Sequence, residues 1–202
     1  MTTVILDPRE AQQLIDERRA RGLDAHDEVW EGTYMMAPVA NNEHQDLLLG
    51  LALALRETVV AGKLGKVYPG VNVARNADDW KHDFRVPDLA VYLNGNPATD
   101  CDTFYHGGPD LAVEIVSRHD RTRDKVSFYA EVGTRELLIV DREPWRLELL
   151  KFANGKTTGS AVATVGDTAI ASVALPLTFG LEAGSDRPVV VVTHSDGRAW
   201  RV

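Results

Sequence analysis

Asp88, Glu114 and Lys125 are residue types that can hold a divalent cation beside a phosphodiester and activate water. Asp88 opens one short apolar stretch, Val86-Pro87-Asp88-Leu89-Ala90-Val91-Tyr92-Leu93. Glu114 lies inside a second, Pro109-Asp110-Leu111-Ala112-Val113-Glu114-Ile115-Val116. A carboxylate in a stretch that otherwise reads as core needs a partner, because burying it alone is costly or shifts its pKa. Two carboxylates that converge repel each other unless a cation or a shared proton sits between them. Hard oxygen donors suit Mg²⁺ or Mn²⁺, and such a metal would lower the pKa of a bound water. With one cysteine, Cys101, and no paired histidines, a Cys-rich zinc site and an internal disulfide are both excluded.

Side chains alternate along a strand, so Asp88, Ala90 and Tyr92 share one face, as do Asp110, Ala112, Glu114 and Val116. If the two strands pair antiparallel, the start of the first lies beside the far end of the second. That brings Asp88 toward Glu114 and leaves Asp110 at the opposite end, with small Ala90 and Ala112 leaving room near the carboxylates. A helix predicted over about 121–132 carries Arg121, Lys125 and Tyr129 four residues apart, on one stripe. Arg118, Arg121, Arg123 and Lys125 fall within eight residues, and Arg121 and Arg123 are candidates to contact phosphate. Upstream, a helix starts with Asn42 as N-cap and Gln45 three residues on, its apolar residues Leu47, Leu51, Leu55 and Val59 recur at helical spacing, and Gly62 closes it. Its first turn holds Glu43 and His44, so it could point chemistry at a site. Each residue also has a plainer reading. Asp88 serves a local turn, Glu114 faces solvent, Lys125 lies on a solvated helix face, Tyr129 anchors a core, and His44 is a partly exposed helix residue.

The supporting elements follow from pattern. Residues 8–21 read as a helix with Pro8 in its first turn, and 27–37 as a hairpin stopped by Pro38. Val67 to Ala74 reads as one strand, 75–84 as a loop, the segment up to Gly108 as irregular, and Glu136 to Asp141 as a buried strand. Beyond Pro144 the chain reads as strands, with Asn154-Gly155 and Ser195-Asp196-Gly197 as turns. No interdomain linker interrupts it, so residues 1–202 are expected to form one domain, with a β-rich C-terminal extension from about 153 that continues the sheet or packs on it. The net charge of −8 argues against a protein that coats nucleic acid non-specifically. No run approaches the ~20 apolar residues of a membrane span. The first residues lack the pattern of a secretory signal, and a cytoplasmic protein is expected. No Gly-x-Ser-x-Gly occurs, and Cys101 has no evident paired base, which disfavours a nucleophilic hydrolase.

At these residues the sequence resembles the Uma2 family, the DUF820 group within the PD-(D/E)XK nuclease superfamily. The resemblance rests on Arg85 to Tyr92, Pro109 to Ser117, Asp124-Lys125 ahead of Tyr129 to Gly133, and Glu136 to Asp141. Trp30-Glu31-Gly32, Met36-Ala37-Pro38 and His44-Gln45 extend it upstream, so that it covers about 25–152. It implies an α/β, restriction-endonuclease-like fold: a mixed β-sheet flanked by helices, here with a C-terminal β-hairpin extension. It also implies a Mg²⁺-dependent (or Mn²⁺-dependent) endonuclease acting on DNA, with Asp88 and Glu114 as metal ligands. The superfamily's usual lysine position, two residues after the acidic strand residue, is Val116 here, and Lys125 matches the helix lysine that takes its place. A glutamate of the first helix completes some such sites, which makes Glu43 a candidate, with His44 and Tyr129 behind the ligands. The rival expectation is a nuclease fold without activity, serving as a binding module or a homodimer joined through exposed strand edges.

Overall fold

A computed structural model describes residues 8–37, 39–117 and 121–202. The readings placed on Pro38, on Arg118 and on the first residues lie outside them. In chain order the elements are α1 (Pro8–Ala20), β1 (Glu28–Trp30), β2 (Thr33–Met35), α2 (Asn42–Val59), β3 (Gly65–Pro69), β4 (Val73–Ala74), β5 (Phe84–Arg85) and β6 (Leu89–Leu93). Then come β7 (Thr99–Asp100), β8 (Tyr105–His106), β9 (Leu111–Ile115), α3 (Val126–Glu131), β10 (Glu136–Arg142), β11 (Trp145–Ala153) and β12 (Lys156–Ala163). The chain closes with β13 (Ile170–Ala171), β14 (Leu177–Glu182), β15 (Val189–His194) and β16 (Ala199–Arg201). Among the described residues no helix is long and apolar enough to cross a membrane.

The central sheet runs β12-β11-β10-β9-β6-β3. Its β9–β10 pair is parallel and its other pairs are antiparallel, so the sheet is mixed. Strand alternation divides it cleanly. Leu111, Val113 and Ile115 face the core under α2, together with Leu89 and Val91, while Ala112 packs with Phe128 and Tyr129 of α3 on the other side. The room expected beside Ala90 and Ala112 is therefore filled by aromatic rings, with Tyr92 and Tyr105 against Ala90. A second sheet, β2-β1-β5-β4-β8-β7, is made of short strands and carries the N-terminal hairpin. β13 to β16 form a third sheet.

Several boundaries differ from expectation, each for a local reason. The N-cap of α2 is Asn41, whose side chain accepts from the His44 N–H, so the cap lies one residue earlier than Asn42. The helix ends at Val59, with Lys63 rather than Gly62 taking the positive φ beyond it. Val67 to Ala74 is two strands in two sheets, because Gly70 adopts a left-handed φ of 61° and turns the chain between them. Segment 75–84 holds a short 3₁₀ turn at Trp80–His82, and the stretch before Gly108 contributes β7 and β8. The predicted helix 121–132 is a 3₁₀ turn, Thr122–Lys125, leading into the short α3. Of the C-terminal extension, β12 continues the central sheet beside β11. β13 to β16 instead pack across α2, where Phe179, Leu181, Val190 and Val192 join its core and Trp200 Nε1 donates to Glu57.

Candidate active site

The site is built at one end of the β6–β9 pair. The ladder couples Leu89 with Val113 and Ala90 with Ala112. Continued one step, that register sets Asp88 across from Glu114, where cross-strand side chains are immediate neighbours. Asp88 stands just outside the strand, and its Oδ2 accepts the Ile115 N–H at 2.6 Å, which fixes the carboxylate at the ladder's end. Its Oδ1 lies 3.0 Å from His44 Nε2. His44 arrives there because it extends the buried stripe of α2, three residues before Leu47. It is a buried histidine rather than an exposed one, and its Nδ1 has no hydrogen-bond partner.

Glu114 is only 4% exposed. Lys125 Nζ donates to both of its oxygens, at 3.0 and 3.1 Å, and the Tyr129 hydroxyl donates to Oε1 at 2.6 Å. The 3₁₀ turn aims Lys125 inward, and the first turns of α3 bring Tyr129 beside it. Arg121 does not share that stripe. It sits before the turn, pairs with Asp124, and lies 5.0 Å over the Trp30 ring. Arg123 is held outside by Asp141 and Glu148. Glu43 pairs with Arg142, at 3.0 Å, and the same guanidinium reaches Asn41 and the Val116 carbonyl.

A third carboxylate, Glu28 of β1, is the residue that sequence reasoning did not single out. Its Oε1 lies 2.9 Å from Lys125 Nζ and accepts the Val86 N–H at 2.7 Å, while Oε2 accepts Trp30 Nε1 at 2.6 Å. The available signal was the position itself, an acidic residue opening an apolar hairpin strand just before Val29 and Trp30. Glu114 and Glu28 thus share one ammonium, and Asp88 stands across the ladder from Glu114. Burial pushes the Glu114 carboxyl up to about 8; Lys125 opposes this, and the negative charges of Asp88 and Glu28 reinforce it. Burial acts to lower the Lys125 pKa, but Glu114 and Glu28 outweigh it and leave the ammonium firmly charged. Burial and the same carboxylates hold the Tyr129 hydroxyl well above its ordinary range.

A family model described as "Uma2: Putative restriction endonuclease" matches residues 12–184. The chain belongs to the Uma2 family. Its fold is similar to that in the "Crystal structure of a putative nuclease belonging to DUF820 from Anabaena variabilis ATCC 29413", with a TM-score of 0.60 and 14% identity over 72% of this chain and 80% of that one. No curated protein matches. The architecture is therefore the restriction-endonuclease-like α/β fold. The Uma2 match reaches beyond the 25–152 read from motifs, taking in most of α1 and the strands through β14.

The donor set can be tested against the divalent metal that such folds imply. Among the described residues no group of three His, Cys, Asp or Glu side chains is arranged to hold a metal ion by itself. Mg²⁺ does not require one, since it is usually held by one or two carboxylates and completed by waters and substrate phosphates. Asp88 and Glu114 offer hard oxygens on adjacent strands, and Glu28 shares the Lys125 ammonium with Glu114. Hard oxygen donors brought from two strands fit Mg²⁺ or Mn²⁺.

Proposed function

We propose that this protein is a Mg²⁺-dependent (or Mn²⁺-dependent) endonuclease that hydrolyses DNA phosphodiester bonds in the cytoplasm. Asp88 and Glu114 would hold the metal, which when bound lowers the pKa of water and neutralises charge on the phosphate. The observation that carries the reading is the juxtaposition of Asp88, Glu114 and the buried Lys125 at one strand end. Lys125 supplies a fixed positive charge within reach of a phosphate bound at the carboxylates, where it orients the attacking water and offsets charge building on the equatorial oxygens. Tyr129 keeps its proton and holds Glu114 through the hydrogen bond to Oε1. His44 fixes Asp88 from the far side.

The decisive experiment titrates Mn²⁺ and Mg²⁺ calorimetrically into the wild type and an Asp88→Ala, Glu114→Ala double variant, alongside a plasmid cleavage assay with and without EDTA. Saturable binding lost in the double variant, with metal-dependent cleavage, is expected.

One observation favours a second reading, an inactive nuclease fold used as a binding or homodimeric assembly module. Every oxygen of Asp88 and Glu114 already has a protein partner. On that reading the wild type binds no metal and cleaves nothing. The edges of the central sheet, β12 and β3, would then carry the contact.

A further inference from the structure

Lys125 has three N–H donors, and they are divided between two carboxylates on different elements: Glu114 of β9 and Glu28 of β1. The two acceptors are not equivalent. Glu114 stands across from Asp88 and is the carboxylate a metal would claim. Glu28 is anchored elsewhere, by the Val86 N–H on the oxygen that also meets Lys125 and by Trp30 Nε1 on the other. It is 5% exposed, and the Val86 amide it grips lies two residues before Asp88.

We propose that Glu28 is the positioning residue of this site, an immobile second carboxylate that keeps Lys125 in place when Glu114 turns to a cation. The inference rests on the metal-dependent reading given above. A lysine paired with Glu114 alone would have two poor choices on metal binding. It could stay and compete with the metal for both Glu114 oxygens, or it could leave and take its positive charge out of the site. With Glu28 holding one donor, Lys125 releases Glu114 without leaving. The grip on Val86 adds a second effect, because the carboxylate that retains the lysine also fixes the chain segment delivering Asp88. The three charged groups are thereby placed relative to one another through a single side chain that touches neither metal nor substrate.

The test is a double-mutant cycle with Glu28→Gln and Lys125→Met, singly and together, each titrated with Mn²⁺ in the absence of DNA and each melted to confirm folding. Lys125→Met is expected to bind Mn²⁺ several-fold more tightly than the wild type, because the competing ammonium is gone, while losing cleavage. Glu28→Gln is expected to bind several-fold more weakly, with Lys125 now resting on Glu114 alone. In the Lys125→Met background, Glu28→Gln is expected to have little further effect on Mn²⁺ affinity. Two results overturn the proposal while leaving the metal site intact. One is equal weakening by Glu28→Gln in both backgrounds, which would make Glu28 a general negative charge. The other is a lowered melting temperature with unchanged Mn²⁺ affinity, which would make it a structural anchor only. Failure of all four proteins to bind Mn²⁺ would instead remove the metal-dependent reading, and this inference with it. Binding by the Lys125→Met variant but not by the wild type would show that Lys125 does not release Glu114, and would overturn the proposal.

Discussion

The same pentapeptide, Pro-Asp-Leu-Ala-Val, begins β6 and β9, and the two copies come to opposite fates at opposite ends of one antiparallel pair. Their local geometry matches. Asp88 Oδ2 accepts the Ile115 N–H of the partner strand, and Asp110 Oδ2 accepts the Leu93 N–H of its partner at 2.8 Å. Each aspartate thus caps the end of the neighbouring strand. What differs is the residue opposite and the charge that arrives. Continuing the register puts Tyr92 across from Asp110 but Glu114 across from Asp88. Asp110 meets Arg135 at 3.0 Å and the Asn96 side chain at 2.8 Å, so its charge is settled locally. Asp88 meets His44 and the field of a second buried carboxylate. A motif shared by both ends is structural at each, and the partner across the ladder is what sets the two ends apart.

That comparison is most directly broken by exchanging carboxylate for amide at each end. Asp88→Asn is expected to lower metal-dependent cleavage by more than about 100-fold, since outer partners of a metal site alone often cost that much. Its melting temperature should change little. Asp110→Asn should do the reverse, weakening a hydrogen-bonded ion pair at a cost of about 1–3 kcal/mol while cleavage stays at the wild-type rate below the transition. Equal loss of activity in both variants would remove the distinction between the two ends.

Another buried acid near the Asp110 end sharpens the point. Glu136 is fully buried, yet it accepts hydrogen bonds from the Ser172 hydroxyl and from the Val173 and Ala174 amides, tying the segment before β14 to the central sheet. Glu136→Ala would leave those amides unpaired and is expected to cost about 3 kcal/mol in urea unfolding. Mn²⁺ binding at the other end should be unaffected while the chain is folded. Burial of a carboxylate is therefore not in itself a mark of function here, and its partners decide.

The unsettled charge at Glu114 has a pH signature. Its carboxyl is raised from 4.5 to about 8 in the folded chain, chiefly by burial. The folded state thus holds a proton that the unfolded chain releases. The resulting stabilisation is full below about pH 4.5 and is lost as pH rises through about 8. In EDTA, the unfolding free energy of the wild type should fall between pH 5 and pH 8 relative to a Glu114→Gln variant. Parallel pH profiles for the two proteins would mean that Glu114 is ionised throughout and that Lys125 alone compensates its burial.

Much of this arrangement was legible because it depends on strand periodicity and pairing. Alternation around Asp88 and Glu114, with one assumption of antiparallel neighbours, sets those two acids across from each other and Asp110 at the far end. The helical stripe of Leu47, Leu51 and Leu55 also carried His44, although the exposed reading was equally open. Glu28 was not legible, because it joins the site through a pairing between β1 and β5 that no local pattern encodes. Arg121 failed for a different reason. A four-residue spacing implies a shared face only in an α-helix, and the 3₁₀ turn rotates Arg121 away from Lys125 and Tyr129.

The smallest expected effect separates the two arginines first read as phosphate contacts. Arg123 spends its guanidinium on Asp141 and Glu148, and Arg146 pairs with the same two acids. Arg123→Ala should therefore cost no more than about 1 kcal/mol, since its exposed ion pairs are partly redundant. It should leave DNA binding nearly unchanged across salt concentrations. Arg121 lies over Trp30, whose indole N–H is bonded to Glu28, so its charge stands beside the Asp88–Glu114 end of the sheet. Arg121→Ala should weaken oligonucleotide binding and reduce the steepness of its salt dependence by about one phosphate contact. Measured by fluorescence anisotropy at several salt concentrations, equal slopes for the two variants would mean that neither arginine meets the backbone and that DNA approaches from another side of Asp88 and Glu114.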